Sequence, residues 1–115
     1  MKIVSFGFKY GQPRANHYFD VSWIKNPARG EGRNLFSALD TGIINEVLQD
    51  QAVKDFLTKV IPLLEFLSKK DVMVVAFGCS AGRHRSPVIA EAVAKTLAKV
   101  YKIDVTIEHR DIKLC

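Results

Sequence analysis

The sequence of 115 residues predicts one α/β domain over residues 1–115, with a mainly parallel sheet flanked by helices in a Rossmann-like arrangement. Two observations carry this prediction. Strand-like apolar segments alternate along the chain with segments of helical spacing, which is typical of parallel βαβ units. The run 72–77 is continuously apolar, as expected for a strand that is buried on both faces of a sheet.

The first third of the chain predicts two strands and a long loop. Residues 2–8 form an apolar strand segment that the Tyr10–Pro13 turn sequence ends, and residues 18–24 form a second strand segment. Residues 25–37 contain two glycines and a proline and predict an irregular loop. A loop of this length in a compact domain usually has a function.

The middle of the chain predicts two helices. Asp40 is placed to cap a short helix whose apolar positions run from Ile43 to Leu48. Asp50 is placed to cap a longer helix whose apolar positions keep helical spacing as far as Leu67. Pro62 lies inside this second pattern and is expected to kink or divide the helix, because proline lacks a backbone donor.

The last third predicts a strand, a helix and a strand. After the buried run, Ser86 supplies an N-cap oxygen and Pro87 a fixed φ for a helix over 87–100. Residues 103–107 alternate between apolar and polar types and predict a half-exposed final strand. Ligands of open parallel sheets bind beyond the carboxyl ends of the strands, and the loop before the helix lies at that edge.

The segment 78–87 predicts an anion site, because small residues and three consecutive basic residues lead into a helix. Backbone amides and the helix dipole favour negative charge there. The predicted ligand is a phosphorylated small molecule or inorganic phosphate, with no cofactor. The arginines on either side of the histidine are expected to lower its pKa. The predicted ligand-binding residues are Cys79, Ser80, Ala81, Gly82, Arg83, His84, Arg85 and Ser86, with Tyr10 and Asp20 from the turns after the first two strands.

The residues of this loop also allow a catalytic interpretation. Cys79 and Arg85 are separated by five residues, and Ser86 follows, which resembles the signature of cysteine-dependent phosphatases. A helix N-terminus with nearby cations favours a thiolate nucleophile, and the arginine would hold the phosphate oxygens. A third interpretation is purely structural, with the cysteine buried and the arginines solvated. Asp20 has two alternative roles of its own, a bond to a sugar hydroxyl or a structural bond to loop amides. The residues available as leaving-group acid are Asp20, Asp40 and Asp111.

Composition limits the classes of function. A net charge of +5 favours acidic partners such as phosphorylated metabolites or nucleic acid. The sequence has no apolar run long enough for a membrane span, no signal-peptide segment and no disulfide framework, so we expect a cytoplasmic protein. Its three histidines and two cysteines are dispersed and predict no metal site. The absence of Gly-x4-Gly-Lys-Ser/Thr excludes a Walker A loop within these residues.

Four segments, in order, resemble the C-terminal domain of the RNase adapter RapZ/YvcJ family over nearly the whole chain. Ser5–Pro13 resembles the family's opening strand and turn, and Phe19–Pro27 resembles its FDVRFLPNP segment. Residues 78–91 resemble its GCTGG-K/R-HRS…IAE loop and helix, and His109–Asp111 its closing HRD. The resemblance implies a non-catalytic regulatory domain that binds an amino-sugar phosphate and small regulatory RNA and that self-associates. It assigns ATP binding to a separate N-terminal domain, which we expect this chain to lack because Met1 begins at the opening strand.

Departures from the family pattern affect RNA binding more than the anion loop. Ser22 and Trp23 replace an arginine and a phenylalanine, and the family's basic C-terminal tail is reduced to Lys113. The arginine of the family's RPLTGLD segment is lost or displaced to Arg33. We therefore expect weak RNA binding, with dispersed solubilising cations as the alternative. The basic residues expected to form this surface are Lys25, Arg29, Arg33, His109, Arg110 and Lys113.

Overall fold

A computed structural model describes residues 1–27, 41–70 and 73–112 of the chain. The elements in these ranges are β1 (Lys2–Gly7), β2 (His17–Asp20), α1 (Thr41–Gln49), α2 (Gln51–Ser68), β3 (Val74–Cys79), α3 (Arg85–Lys99) and β4 (Thr106–His109), with a 3-10 turn at Phe8–Tyr10. The four strands form one sheet in the order β2-β3-β1-β4, and all neighbouring strands are parallel. The predicted α/β fold with a parallel sheet is confirmed.

The three helices pack on one face of the sheet. Ile3 and Phe77 belong to this face and share the main hydrophobic core with residues of all three helices. Val4 and Phe6 belong to the other face, where Phe8 and other residues of the segment after β1 pack against them. In the part of the chain that the structure describes, the domain therefore has two layers, with the helices on one side only.

The carboxyl ends of the two central strands lie side by side. Gly7 at the end of β1 pairs with Cys79 at the end of β3, and Asp20 at the end of β2 pairs with Gly78. The chain leaves β1 toward the second face of the sheet and leaves β3 toward the helical face. Such an edge is where open parallel sheets bind ligands.

Strands β2, β3 and β4 begin or end at other residues than predicted, and side-chain hydrogen bonds or pairing with a neighbouring strand explain the differences. β2 ends at Asp20 rather than Ile24, because the Asp20 carboxylate accepts a hydrogen bond from the Ser22 N–H at 2.9 Å and turns the chain. β3 continues to Cys79 because its last residues pair with β1. β4 begins at Thr106, which is the first residue of this strand in register with β1.

Helix α2 confirms a predicted cap, and of the two predicted effects of Pro62, a kink or a division, the division does not occur. The Asp50 carboxylate accepts a hydrogen bond from the Ala52 N–H at 2.9 Å. The helix continues undivided through Pro62, whose exposed position lets water reach the Thr58 carbonyl that loses its usual donor. The predicted cap of α1, Asp40, lies outside the described residues. No helix among the residues described has both the length and the apolar character that a bilayer crossing needs.

Helix α3 begins at Arg85, earlier than the predicted start at Pro87. His84 occupies the N-cap position, and its side chain makes no capping hydrogen bond. The predicted cap, Ser86, is instead a fully buried residue of the first turn. Its hydroxyl donates to the Phe6 carbonyl at 3.2 Å, so it ties the start of the helix to β1.

Candidate anion-binding site

Two glycines allow the loop between β3 and α3 to lie directly on the end of β1. A Cβ on Gly7 would come under 3.0 Å from the Ala81 carbonyl group, and a Cβ on Gly82 would come equally close to the Phe6 backbone. Gly82 also has a φ of +72°, which other residues rarely adopt. The close approach of the loop to the sheet therefore depends on both glycines.

This loop and the start of α3 line a cavity of about 220 Å³ at the carboxyl edge of the sheet. Its lining residues are Asn26, Cys79, Ser80, Ala81, Arg83, His84 and Arg85. All of them except Asn26 belong to the predicted site, so the structure brings six predicted residues together. Asn26 follows β2 and reaches the same edge, a position that the parallel sheet alone could have indicated.

Arg85 connects the cavity to the segment that follows β2. Its Nη1 donates to the carbonyls of Ser22 at 2.7 Å and Ile24 at 3.2 Å, and its Nη2 donates to Ser80 Oγ at 3.1 Å. The side chain therefore places a cation at the cavity and holds the segment that carries Asn26. The sequence indicated a positive charge at Arg85, but nothing in the sequence predicted its hydrogen bonds to the Ser22 and Ile24 carbonyls.

His84 is a buried titratable group in the cavity wall. The residue is only 6% exposed, and its Nε2 has no hydrogen-bond partner among the described residues. Burial, followed by the charges of Arg83 and Arg85, lowers the pKa of His84 below 6.5. The predicted direction is confirmed, although burial is the larger cause. Near pH 7 the ring is neutral and carries a buried polar atom that is not satisfied by the protein.

Cys79 ends β3 with a buried thiol. Its Sγ donates to Ser86 Oγ at 3.3 Å, and the Ser86 hydroxyl donates in turn to the Phe6 carbonyl at 3.2 Å. Because the hydroxyl hydrogen is directed at the carbonyl, Ser86 accepts from the thiol and does not donate to the sulfur. This arrangement is typical of a packed cysteine rather than an activated nucleophile.

Asp20 and Tyr10, the two predicted site residues outside the loop, do not line the cavity. The hydrogen bonds from Ser22 are the main cause that lowers the pKa of Asp20 below 3.8, and the charge of Arg85 adds to it. The hydrogen bond from the Ser22 N–H is the contact expected of Asp20 as a structural carboxylate. Tyr10 ends the 3-10 turn, where its ring lies 5.2 Å from the Lys9 ammonium group.

The residues His109–Asp111 hold elements of the domain together. Nδ1 of His109 is 2.7 Å from Ser5 Oγ, and its Nε2 is 2.8 Å from Glu91 of α3. The Arg110 guanidinium donates to both oxygens of Asp111 and, at 2.5 Å, to the Gly11 carbonyl. None of the three residues lines the cavity.

Of the basic residues predicted to bind RNA, Lys25, His109 and Arg110 lie in the part of the chain that the structure describes. Lys25 is exposed beside the cavity-lining Asn26. Arg110 is engaged within the domain and extends over the Phe6 ring at 5.8 Å. Arg29, Arg33 and Lys113 lie outside the described ranges.

Comparison with known proteins places the chain in a family. It matches the family model described as RapZ C-terminal domain over residues 1–113. It is 39% identical over 117 residues to a "Nucleotide-binding protein" of Clostridium perfringens, with 96% of this chain and 40% of that protein covered. It is 36% identical to "Nucleotide-binding protein lmo2474" of Listeria monocytogenes, with 98% of this chain and 40% of the relative covered. It is 37% identical to "Nucleotide-binding protein ZMO1325" of Zymomonas mobilis, with 99% and 37% covered.

The chain therefore spans between 37% and 40% of the length of these relatives. Since the family model covers residues 1–113 of 115, the chain belongs to the RapZ C-terminal domain family.

Proposed function

We propose that this domain is a non-catalytic regulatory module that binds a phosphorylated small molecule, with the phosphate group held in the cavity at the start of α3. The observation that most supports the proposal is the pair of arginines, Arg83 and Arg85, in the lining of that cavity at the start of α3. His84 lines the same cavity, and its buried Nε2 is a polar atom without a hydrogen-bond partner among the described residues, which is unusual in proteins.

The electrostatics of the cavity favour an anion. Arg83 and Arg85 contribute two positive charges to its lining, and no carboxylate is among the lining residues described. The first-turn amides of α3 have no intrahelical acceptor and lie at the positive end of the helix dipole. Phosphate oxygens are acceptors, and Ser80, Asn26 and the arginines offer donors around the same space.

Two observations favour binding over phosphatase chemistry. A general acid must be protonated before it can donate to a leaving group. Hydrogen bonds from Ser22 hold the pKa of Asp20 below 3.8. Burial raises the pKa of Asp111, but the hydrogen bonds and charge of Arg110 and the Gly7 N–H outweigh it and hold this pKa below 3.8 as well. Both carboxyls are therefore ionised near neutral pH. The thiol of Cys79 is buried and donates to Ser86. The third acid considered, Asp40, lies outside the described residues.

The relatives are named for nucleotide binding, and they are much longer than this chain. No Walker A sequence occurs in residues 1–115, so we assign nucleotide binding in those proteins to the part that this chain does not match. For this domain we propose a sugar phosphate as the ligand class, which is what the family resemblance implies. RNA binding has less support, because only Lys25 of the proposed basic surface is both described and exposed.

Calorimetric titration with inorganic phosphate, an amino-sugar phosphate and adenosine monophosphate tests this proposal. Trp23, the one tryptophan of the chain, lies between the two residues whose carbonyls bind Arg85, so its fluorescence provides a second readout. We expect saturable binding of phosphate and tighter binding of the sugar phosphate. Hydrolysis of p-nitrophenyl phosphate that Cys79→Ser abolishes would instead support the phosphatase.

A matched pair of variants locates the site. Arg85→Ala and Lys59→Ala remove the same charge, but Lys59 is an exposed residue of α2 outside the cavity lining. Loss of a charge-assisted contact of about 1.5–3 kcal/mol should weaken phosphate binding about ten- to a hundredfold in Arg85→Ala. Lys59→Ala should bind like the wild type. Equal affinities in the two variants would show that phosphate binds elsewhere.

A further inference from the structure

We propose that anion binding at this cavity is coupled to protonation of His84, so that the domain binds its ligand more tightly as the pH falls below neutrality. The proposal rests on the proposed function, since it concerns the same cavity. In the coupled pH range the anion-bound domain carries a proton on His84 that the free domain lacks, and this difference makes the affinity for the ligand depend on pH.

The surroundings of His84 disfavour a positive ring in the absence of an anion. The residue is the N-cap of α3, so its ring lies near the positive end of the helix dipole. Arg83 and Arg85 flank it in sequence, and all three residues line the same cavity. At 6% exposure, little water is available to stabilise a third positive charge. Burial, followed by the charges of Arg83 and Arg85, lowers the pKa of His84 in the free domain.

A bound dianion reverses this balance. It adds two negative charges beside a ring that has no hydrogen-bond partner at Nε2. Its oxygens accept hydrogen bonds, and a protonated histidine donates from both ring nitrogens. Both effects favour the imidazolium form, so the pKa of His84 is higher in the complex than in the free domain. By linkage, protonation of His84 must then favour the anion to the same extent.

Other charged groups around the cavity do not account for a proton taken up near pH 6.5. The two arginines stay protonated throughout this range. Asp20, which interacts with Arg85 from the end of β2, is ionised because its Ser22 hydrogen bonds lower its pKa below 3.8. Among the residues that the structure describes, other ionisable groups of this region include the Cys79 thiol in the cavity lining, Lys9 in the turn after β1, and Lys25 after β2. The His109–Glu91 pair joins β4 to α3, and the histidine variants described below distinguish all of these groups from His84.

The expected pH dependence follows from the sign of the linkage. Above the pKa of the bound state neither form carries the extra proton, and affinity is at its lower plateau. Between the two pKa values, affinity increases up to about tenfold for each unit by which the pH falls. Below the pKa of the free state both forms are protonated, and affinity reaches its upper plateau.

Sulfate is the suitable probe, because it remains a dianion over this range whereas a phosphate group changes charge near pH 6. We expect sulfate affinity to increase by at least about fivefold between pH 7.5 and pH 5.5. Calorimetry at pH 6.5 in two buffers with different ionisation enthalpies should show uptake of a fraction of one proton for each sulfate bound. An NMR titration of the histidine rings should show a higher His84 pKa with sulfate than without it.

Two histidine variants assign the proton. His84→Gln keeps a neutral donor near the position of Nε2 and cannot titrate, so its sulfate affinity should not change with pH. His17→Gln changes a partly exposed histidine at the start of β2 and should keep the wild-type pH response. The ring titration in the wild type gives the same information without a variant, should His84→Gln fold poorly.

Three results would overturn the proposal, and they separate it from the proposed function. Sulfate binding that depends on Arg85 but not on pH would refute the coupling and leave the anion site in place. A pH response that persists in His84→Gln would show that a group other than His84 takes up the proton, and would refute the coupling. Failure of the wild type to bind sulfate or phosphate at any pH would refute the proposed function together with the coupling.

Discussion

The buried carboxylate of Asp111 accepts a hydrogen bond at 2.7 Å from the backbone N–H of Gly7, a residue 104 positions away in the chain. Gly7 is also the residue against which the anion loop packs, because a Cβ there would collide with Ala81. The residues after β4 therefore hold the end of β1, and the end of β1 supports the loop. This connection explains how the closing His109–Asp111 segment contributes to the site without lining it.

Removal of the Asp111 carboxylate should destabilise the domain strongly. Asp111→Ala leaves the buried Gly7 N–H without an acceptor and Arg110 without its ion-pair partner, at a cost of about 2–4 kcal/mol. Glu108→Ala breaks the exposed ion pair with Lys2 and should cost below about 1 kcal/mol. Urea unfolding of both variants provides the measurement. A similar loss of stability in the two would contradict the role assigned to Asp111.

The same carboxylate should make stability depend on acid pH. Burial opposes ionisation, but Arg110 and the Gly7 N–H together hold the pKa of Asp111 below 3.8 in the folded state. A lowered pKa contributes stability that is present above 3.8 and is lost as the pH falls through the lower, folded-state value. Asp111→Asn should therefore lose less stability than the wild type between pH 4 and pH 2. Identical acid unfolding profiles would show that the carboxylate is not specifically stabilised.

His84 should make the stability of the domain depend on pH just below neutrality. Burial lowers its pKa below 6.5, so in the absence of anions the unfolded chain binds a proton more readily than the folded domain does. Stability is then complete above pH 6.5 and declines as the pH falls toward the folded-state pKa. In a buffer without multivalent anions, thermal unfolding should show a larger loss between pH 7 and pH 5.5 in the wild type than in His84→Gln. A larger loss in the variant would contradict the assignment.

Gly82→Ala should remove anion binding, and Gly11→Ala should leave it intact. Both glycines have positive φ, so either alanine should cost about 1–3 kcal/mol of stability. Only at Gly82 would the new methyl group also meet the backbone of β1, because no atom lies within 4 Å of the Cβ position at Gly11. Phosphate calorimetry on folded samples of both variants distinguishes strain from loop displacement. Retained binding in Gly82→Ala would show that the close approach of the loop is dispensable.

The parts of this structure that could be predicted from sequence are those with a local signal. The buried run before Cys79 indicated a central strand, and Asp50 indicated the start of α2, because periodicity and capping act within a few residues. The position of residues 79–85 around a cavity at the carboxyl edge of the sheet was predictable for the same reason, since small residues and cations at a helix start have a local physical meaning.

The parts that sequence reasoning missed depend on contacts between distant segments. Arg85 bonds the carbonyls of Ser22 and Ile24, and this contact has no counterpart in local spacing. Ser86 was expected to cap α3, but its hydroxyl is directed to Phe6, so the helix begins earlier. Asp111 belongs to the same category, because a carboxylate after the last strand gives no indication that it binds the end of the first.

An NMR titration of the isotope-labelled domain with inorganic phosphate shows whether phosphate occupies the cavity at the start of α3. We expect saturable shifts concentrated on the amides of residues 79–88 and on the side chains of Asn26, His84 and Arg85, which lie in or next to the cavity wall. Exposed amides of α2, on the far side of the helical layer, should remain unchanged. Shifts that do not saturate, or that centre on residues away from this loop, would contradict the account.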